Sequence, residues 1–364
     1  MKKVYFKCWL NKNLGDDLFL KIISDRYKNN LYARTIVPYK KMTNVHFLYI
    51  NEFVYKVFDK LASLFHTFNL IDKFFVLKTD LTLVVGGSIF MESKSPNRRL
   101  ESYWYDNIDK DYYIIGSNIG PVFTQEYIDD LKNKVFARAQ LVSLRDKTSY
   151  ELVADCSNVQ YSSDIVFSLN VESLKSVSVE KKVIISVIDC YKKASQTKNV
   201  NPAKYDDLIL EIISNFIERG YVVELMSFCK YEGDEIAIDR LMRKFGQNSR
   251  LIKYFYDGNI DDALLHLATS EFIVGTRFHA NILGFLLNKK VVPISYNDKT
   301  VNMLHDIDFN GVFIDLNDIR KIDYDKIFDI NNNFCVNIDR FRKSSLNHFK
   351  ELDKILVKRW YDER

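Results

Sequence analysis

Short apolar runs that stop at a glycine or a polar residue, each followed by a stretch of helical spacing, recur along this chain. No other feature constrains its fold as much. "LTLVVGG", "DYYIIGSNIG", "KKVIISVI" and "EFIVGT" are such runs. "LGDDLFLKIISDRY" and "YDDLILEIISNFIERG" carry apolar residues three and four apart, the spacing of one helix face. Continuously apolar strands alternating with helices predict βα units and a mostly parallel sheet. The pattern runs from "KKVYFKCW" to "QLVSLRD", yields to the polar, serine-rich "NVESLKSVSVEKK", and restarts at "KKVIISVI". At 364 residues the chain is too long for one ordinary core. The expectation is an α/β protein of two doubly wound domains facing each other across a cleft. They span 1–175 and 176–340, and a C-terminal helix over 341–364 packs back across them. In such folds ligands bind at the carboxyl ends of the parallel strands.

Composition narrows the function. Lysine and arginine exceed aspartate and glutamate by only four charges, and the two signs are interspersed. That excludes the basic stripe of a nucleic-acid binder, so no nucleic-acid partner is expected. A small cationic excess suits an anionic small molecule or an anionic membrane surface. The five cysteines, Cys8, Cys156, Cys190, Cys229 and Cys335, are scattered and never form C-x-x-C. They read as reduced, mostly buried thiols of a cytoplasmic protein. The first residues, "MKKVYFKCWLNKNLGDD", are broken by Lys7, Asn11 and Lys12 and do not read as a secretory leader. No apolar run reaches the length of a membrane span. No metal-ligand spacing and no G-x-S-x-G elbow occurs, so neither a metal site nor a serine hydrolase is expected.

The polar residues that interrupt the strands fall at their carboxyl ends. Asn13, Gly15, Asp16 and Asp17 follow the first strand. Gly86, Gly87 and Ser88 follow "LTLVV", and Asn118 follows "DYYII". Arg145 follows "LVSL", with Asp146 as the cap of the next helix, and Asp234 sits in "ELMSFCKYEGDE". Each has a plain reading beside the functional one. Paired glycines make tight turns as readily as they admit a ligand. Asp16 and Asp17 in a first helical turn also favour the helix dipole.

"EFIVGTRFHANILGFLLNKKVVPISY" is different. An apolar strand ends at Gly275, and Arg277 and His279 then flank Phe278 at the start of a helix. A helix N-terminus favours anions, and an arginine there adds a fork for carboxylate or phosphate. A histidine beside a bound anion has its charged form favoured and can act as a general acid. His46, His66, His266, His305 and His348 sit in ordinary helix or strand patterns and read as structural.

"NLGDD", "VVGGSIF", "IIGSNIGP", "SLRDKTSYELV", "SDIVFSL" and "VGTRFHANILGFLLNKKVVPISYNDK", in this order, resemble the polysaccharide pyruvyl transferase family. The resemblance runs from about residue 4 to residue 310, and R-x-H-A followed by a strand and Y-x-x-K is its most specific part. It implies two Rossmann-like domains of the GT-B-like kind. It also implies transfer of the pyruvyl group of phosphoenolpyruvate onto two sugar hydroxyls, giving a cyclic ketal on a capsule, exopolysaccharide or cell-wall precursor. Donor contacts implied are Arg277 and His279, with Phe278 between them, and, from the S-x-R-D motif, Arg145; Gly275 and Lys299 join the expected donor side from their places at strand ends. From the chemistry, His279 is the expected acid and Asp16 the expected group to orient or deprotonate the acceptor hydroxyl; from their positions near strand ends, Asn13, Gly15, Asp17, Gly86, Gly87, Ser88, Asn118 and Asp234 are the expected cleft or acceptor positions. Relatives often carry N-x-G-D-E, so Asp17 stands in for a glutamate. No cofactor is implied; phosphoenolpyruvate is the donor substrate, and the sugar acceptor can be lipid-linked.

Two rival readings keep the fold: a glycosyltransferase that uses a nucleotide-sugar, and a non-catalytic glycan-binding relative. The basic C-terminal stretch, with Arg340, Arg342, Lys343, Lys350, Lys354, Lys358 and Arg359, is expected to pack, with at most peripheral contact at the inner face of the membrane. The segment 91–109, with Tyr103, Trp104 and Tyr105, is the expected acceptor loop.

Overall fold

The computed structural model describes residues 2–64, 69–93, 105, 108–193, 200–318, 322–329, 336 and 338–357. In chain order the first half contains β1 (Lys3–Lys7), α1 (Leu14–Arg26), β2 (Asn30–Thr35), β3 (Val45–Tyr49), α2 (Glu52–Leu64), α3 (Leu70–Lys78) and β4 (Leu81–Val85). β5 (Tyr112–Ser117), α4 (Gln125–Asp130), β6 (Leu141–Leu144), α5 (Lys147–Glu151) and β7 (Val159–Tyr161) follow. The second half contains β8 (Lys182–Ser186), α6 (Pro202–Glu218), β9 (Val222–Met226), α7 (Asp234–Phe245), β10 (Leu251–Tyr254), α8 (Ile260–Thr269) and β11 (Phe272–Gly275). It closes with α9 (Phe278–Leu286), β12 (Lys290–Ser295), α10 (Asp298–Asp306), β13 (Ile314–Asp315) and α11 (Tyr324–Phe328). Helices α12 (Asp339–Ser345) and α13 (Lys350–Leu356) end the chain.

The strands form two sheets, ordered β3-β2-β1-β4-β5-β6-β7 and β10-β9-β8-β11-β12-β13, and every pairing is parallel. In each the order reverses beside the first strand, as in a doubly wound sheet. The chain divides into two units. One holds Met1–Asn11, Leu18–Ser168 and Phe341–Arg364; the other holds Lys12–Asp17 and Leu169–Arg340.

Burial explains the strands. All five residues of β4 and all five of β8 are buried, as a sheet covered on both faces requires. β2 alternates instead, which suits a strand near an edge. In the first unit Tyr5 stacks on Phe75 at 4.8 Å, and Val84, Ile114 and Val142 meet Val135 and Phe136. In the second, Ile185, Val223 and Val274 meet Ile209, Phe216 and Leu241. Asp146 caps α5 as its position suggested, accepting from the Ser149 amide at 2.7 Å.

The basic C-terminal segment is part of the first unit. Phe349 and Leu352 are fully buried, and Asp353 accepts from Arg26 Nε at 2.9 Å and from the Tyr27 hydroxyl at 2.8 Å. Lys358 and Arg359 lie outside the described residues. No helix among the described residues is long and apolar enough to cross a membrane.

Candidate active site

In the second unit β11 lies beside β8, where the strand order reverses. The turn after it is held tightly. The Arg277 amide donates to Ser186 Oγ at 3.1 Å, and Asn281 Nδ2 donates to the Gly275 carbonyl at 3.0 Å. A Cβ on Gly275 would fall 2.0 Å from Asn281 Oδ1, so this position is closed to any side chain. Gly275 therefore serves here as the seat of Asn281. The turn aims the N-terminus of α9, with Arg277 preceding its first residue, along the carboxyl edge of the sheet.

Arg277 is nearly enclosed, and two carboxylates hold it. Its Nε donates to Asp234 Oδ2 at 3.0 Å, Nη2 donates to Asp234 Oδ1, and Nη1 donates to Glu232 Oε2. Glu232 also meets Lys193. Asp234 is fully buried and accepts in addition from the Phe228 and Cys229 amides, each at 2.9 Å. The sequence placed Asp234 among acceptor positions; the structure makes it the anchor of Arg277, because both its oxygens are engaged away from solvent. Burial alone would lower the Arg277 pKa, but Asp234 and Glu232 outweigh it and hold the guanidinium well above its ordinary value. Burial pushes the Glu232 carboxyl up, and Arg277 and Lys193 pull it further down, well below the usual carboxylate range. Desolvation and the neighbouring Glu232 push the Cys229 thiol up to about 12, so it is no nucleophile at neutral pH.

Residues 12–17 lie in this same unit. Asn13 bridges Cys229, and the Leu14 amide donates to the Phe228 carbonyl at 2.9 Å. Asn13 Oδ1 accepts from the Gly15 amide at 3.1 Å and turns the chain into α1. Asp17 is buried and accepts from the Tyr256 hydroxyl at 2.6 Å, so it fastens the segment down. These fastenings press Gly15 against His279: a Cβ at Gly15 would fall 2.0 Å from Nδ1 and 2.8 Å from Cε1 of the ring. The two motifs singled out by sequence, N-x-G-D and R-x-H, are thus packed together. Asp16, next to Gly15, is only partly buried.

Phe278 is buried, its ring 5.2 Å from that of His279 in an edge-on arrangement. Lys299, in the first turn of α10, lies 5.9 Å from the ring centroids of both Phe278 and Tyr296. Tyr296 is fully buried, which by itself would raise its pKa, yet Lys299, Lys193 and Arg277 bring it below its ordinary value. Arg277, Lys193 and Lys299 share this region with Asp234 and Glu232, and Asp16, Asp17 and Asp298 lie in the same unit. With Arg277 neutralised by its two carboxylates, Lys299 is the cation that stands beside the Phe278 and Tyr296 rings.

In the first unit Arg145 is buried after β6. Its Nη1 donates to Asp164 Oδ2 at 3.1 Å, and its Nη2 donates to Asn118 Oδ1 at 2.7 Å and to Ser88 Oγ at 3.3 Å. Ser88 Oγ also donates to Asn118 Oδ1 at 3.0 Å. Gly87 lies against the guanidinium, where a Cβ would stand 2.7 Å from Nη1, and a Cβ on Gly86 would stand 2.7 Å from Ile89. The structure therefore gathers Gly86, Gly87, Ser88, Asn118 and Arg145 in the first unit. It gathers Asn13, Gly15, Asp16, Asp17, Asp234, Gly275, Arg277, Phe278, His279 and Lys299 in the second.

Sequence reasoning did not single out Glu232, Lys193, Tyr256 or Tyr296. Tyr296 opens the Y-x-x-K motif, which was the available signal; Glu232 and Lys193 sit in turns with no local pattern. Tyr103, Trp104, His66 and Cys335 lie outside the described residues, and Tyr105 is buried against Tyr112. Among the described residues no three histidine, cysteine, aspartate or glutamate side chains group as metal ligands.

Comparison with known proteins gives the family and the fold. The profile of the family described as polysaccharide pyruvyl transferase matches residues 13–298. The amylovoran biosynthesis protein AmsJ of Erwinia amylovora is 23% identical over 320 residues, 80% of this chain and 72% of that protein. Among solved structures, Staphylococcus aureus MnaA, determined with UDP, superposes with a TM-score of 0.55 at 10% identity, covering 99% of each chain. Anabaena Alr3699/HepE superposes with a TM-score of 0.52 at 11% identity, covering 96% of each. At these identities the superpositions speak for the two-domain Rossmann-like fold alone.

Proposed function

This chain belongs to the polysaccharide pyruvyl transferase family, and from that premise we propose that it moves the pyruvyl group of phosphoenolpyruvate onto two hydroxyls of a sugar in a polysaccharide precursor. The observation that carries the reading is the packing of Gly15, the residue before Asp16, against the His279 ring, which joins the N-x-G-D and R-x-H motifs in one unit.

In the proposed reaction His279 gives a proton to the methylene carbon of phosphoenolpyruvate, which turns C2 into an oxocarbenium-like centre. One sugar hydroxyl attacks C2, and its proton passes to Asp16. The C2–O bond to phosphate then breaks. The second hydroxyl attacks, and the ketal closes. The two hydroxyl protons balance the one gained by the methyl group and the one that leaves with phosphate.

Lys299 and the N-terminus of α9 meet the donor's negative charge in this reading. Arg277 acts one step back: held by Asp234 and Glu232, it fixes the turn that aims His279. Arg145 enters as a donor contact through family resemblance only. The donor, the ketal and a lipid-linked acceptor are parts of the proposal, as is a site of action in the cytoplasm. Incubation with phosphoenolpyruvate and candidate sugars tests it by phosphate release and by the mass of the product. His279→Ala should lower turnover about 10²–10⁴-fold. A variant with wild-type turnover, or a wild type that consumes a nucleotide-sugar and leaves phosphoenolpyruvate intact, would sink the reading.

A further inference from the structure

Helices α2 and α3, between β3 and β4 in the first unit, turn an apolar side outward. Phe53, Val57, Leu61 and Leu64 follow one another at four, four and three residues, which places them on one side of α2. Phe53 is 75% exposed and Leu64 is 70% exposed, while Ala62, on the opposite side, is buried. In α3 the spacing recurs: Leu70, Phe74 and Leu77 lie outward, Leu77 64% exposed, while Phe75 and Val76 pack inward. Phe75 and Val76 of α3 already belong to the first unit's core, so the outward residues of α3 are surplus to it.

The clustering sets the patch apart from ordinary scatter. Ten of the twenty-five large apolar side chains that stay exposed among the described residues fall between Leu48 and Leu77. Contiguous apolar surface of this kind marks a contact with something else. The charges choose the occupant. Lys60, Lys73 and Lys78 lie at the margins of the two stripes, exposed, and make no ion pair among the described residues. Apolar rows edged by lysines match a bilayer with anionic headgroups, where the rings and branched chains enter the acyl boundary and the ammonium groups reach the phosphates.

We propose that the α2–α3 face docks this protein reversibly on an anionic lipid bilayer. The inference does not depend on the reaction assigned above. It also moves the membrane contact away from the basic C-terminal helix, whose apolar side is buried in the first unit.

Flotation of the purified full chain with phosphatidylcholine vesicles, with and without about a third phosphatidylglycerol, tests it. The wild type is expected to float only with the anionic vesicles and to be released by salt. The double variant Phe74→Gln, Leu77→Gln should lose at least tenfold in vesicle affinity with an unchanged circular dichroism spectrum. The triple variant Lys60→Gln, Lys73→Gln, Lys78→Gln should weaken binding and remove its salt dependence. Lys350→Gln with Lys354→Gln should bind as the wild type does. A wild type that stays out of the anionic vesicles overturns the proposal, as does an apolar variant that floats equally well. Wild-type self-association abolished by the Phe74 and Leu77 changes, with no vesicle binding, would overturn it in favour of a second copy.

Discussion

Arg145 and Arg277 occupy matching places in the two sheets, yet their surroundings differ. Each follows the carboxyl end of a parallel strand and precedes a helix, and each is nearly fully buried. Arg145 meets one carboxylate, Asp164, and two neutral acceptors, Asn118 and Ser88. Arg277 meets two carboxylates, Asp234 and Glu232. One guanidinium keeps hydrogen-bonding partners that carry no charge; the other is cancelled where it stands. The same residue at the same kind of strand end is thus a different electrostatic object. The anion-attracting charge of the second region comes to rest on Lys299 and the helix start.

The widest separation between the two should appear in stability. Arg277→Ala strands one fully buried carboxylate, Asp234, leaves the partly exposed Glu232 with Lys193 alone, and should cost about 3–5 kcal/mol. Arg145→Ala strands one, still held by the Val166 amide at 2.9 Å, and should cost about 1–3 kcal/mol. Urea unfolding of both variants measures this; equal costs would break the comparison. The pair Arg277→Ala, Asp234→Asn should recover part of the loss, about 1 kcal/mol or more, since one stranded charge is gone.

The glycines sharpen the contrast next. Gly15→Ala drives a methyl into the His279 ring, so turnover should fall about 100-fold while the protein stays folded. Gly87→Ala presses on the end of the Arg145 side chain and should show as about 1–3 kcal/mol of lost stability. Turnover and unfolding curves for the two variants separate a site residue from a packing residue.

Acid should separate the regions with the smallest effect. His348, whose Nε2 donates to the Ser163 carbonyl at 2.8 Å beside Asp164, has its pKa pushed down to about 4 by burial. Its unfolded value is about 6.5, so as pH falls the unfolded chain takes up the proton first. Stability is full above about 6.5 and is lost as pH drops towards 4, by about 2 kcal/mol at pH 5. Unfolding of the wild type and His348→Gln at pH 7.5 and 5 should show that loss only in the wild type. Glu232, held against burial and far below the usual carboxylate range by Arg277 and Lys193, keeps its own charge over that interval.

Much of this was legible in the sequence. β4, β8 and β11 were plain because strands buried on both faces are written as unbroken apolar runs. The cap at Asp146 and the motif around Arg277 and His279 were plain because their signals are local. β2 was not, since "NLYART" mixes polar and apolar residues where only one side of the strand is covered. The stretch after α4 reads as continuous helix, but the chain passes through a wider turn at Leu131–Val135 and a tighter one at Phe136–Arg138. The partners of Arg277 were least legible. Asp234 and Glu232 come from forty-three and forty-five residues away, and only the sheet brings them to the strand end.

The measurement that bears most directly on the central claim is calorimetric titration of the wild type and Lys299→Ala with phosphoenolpyruvate, without added metal. The account predicts saturable binding by the wild type and at least tenfold weaker binding by the folded variant. A wild type that ignores phosphoenolpyruvate but binds a UDP-sugar, with Lys299→Ala binding it equally, would contradict it.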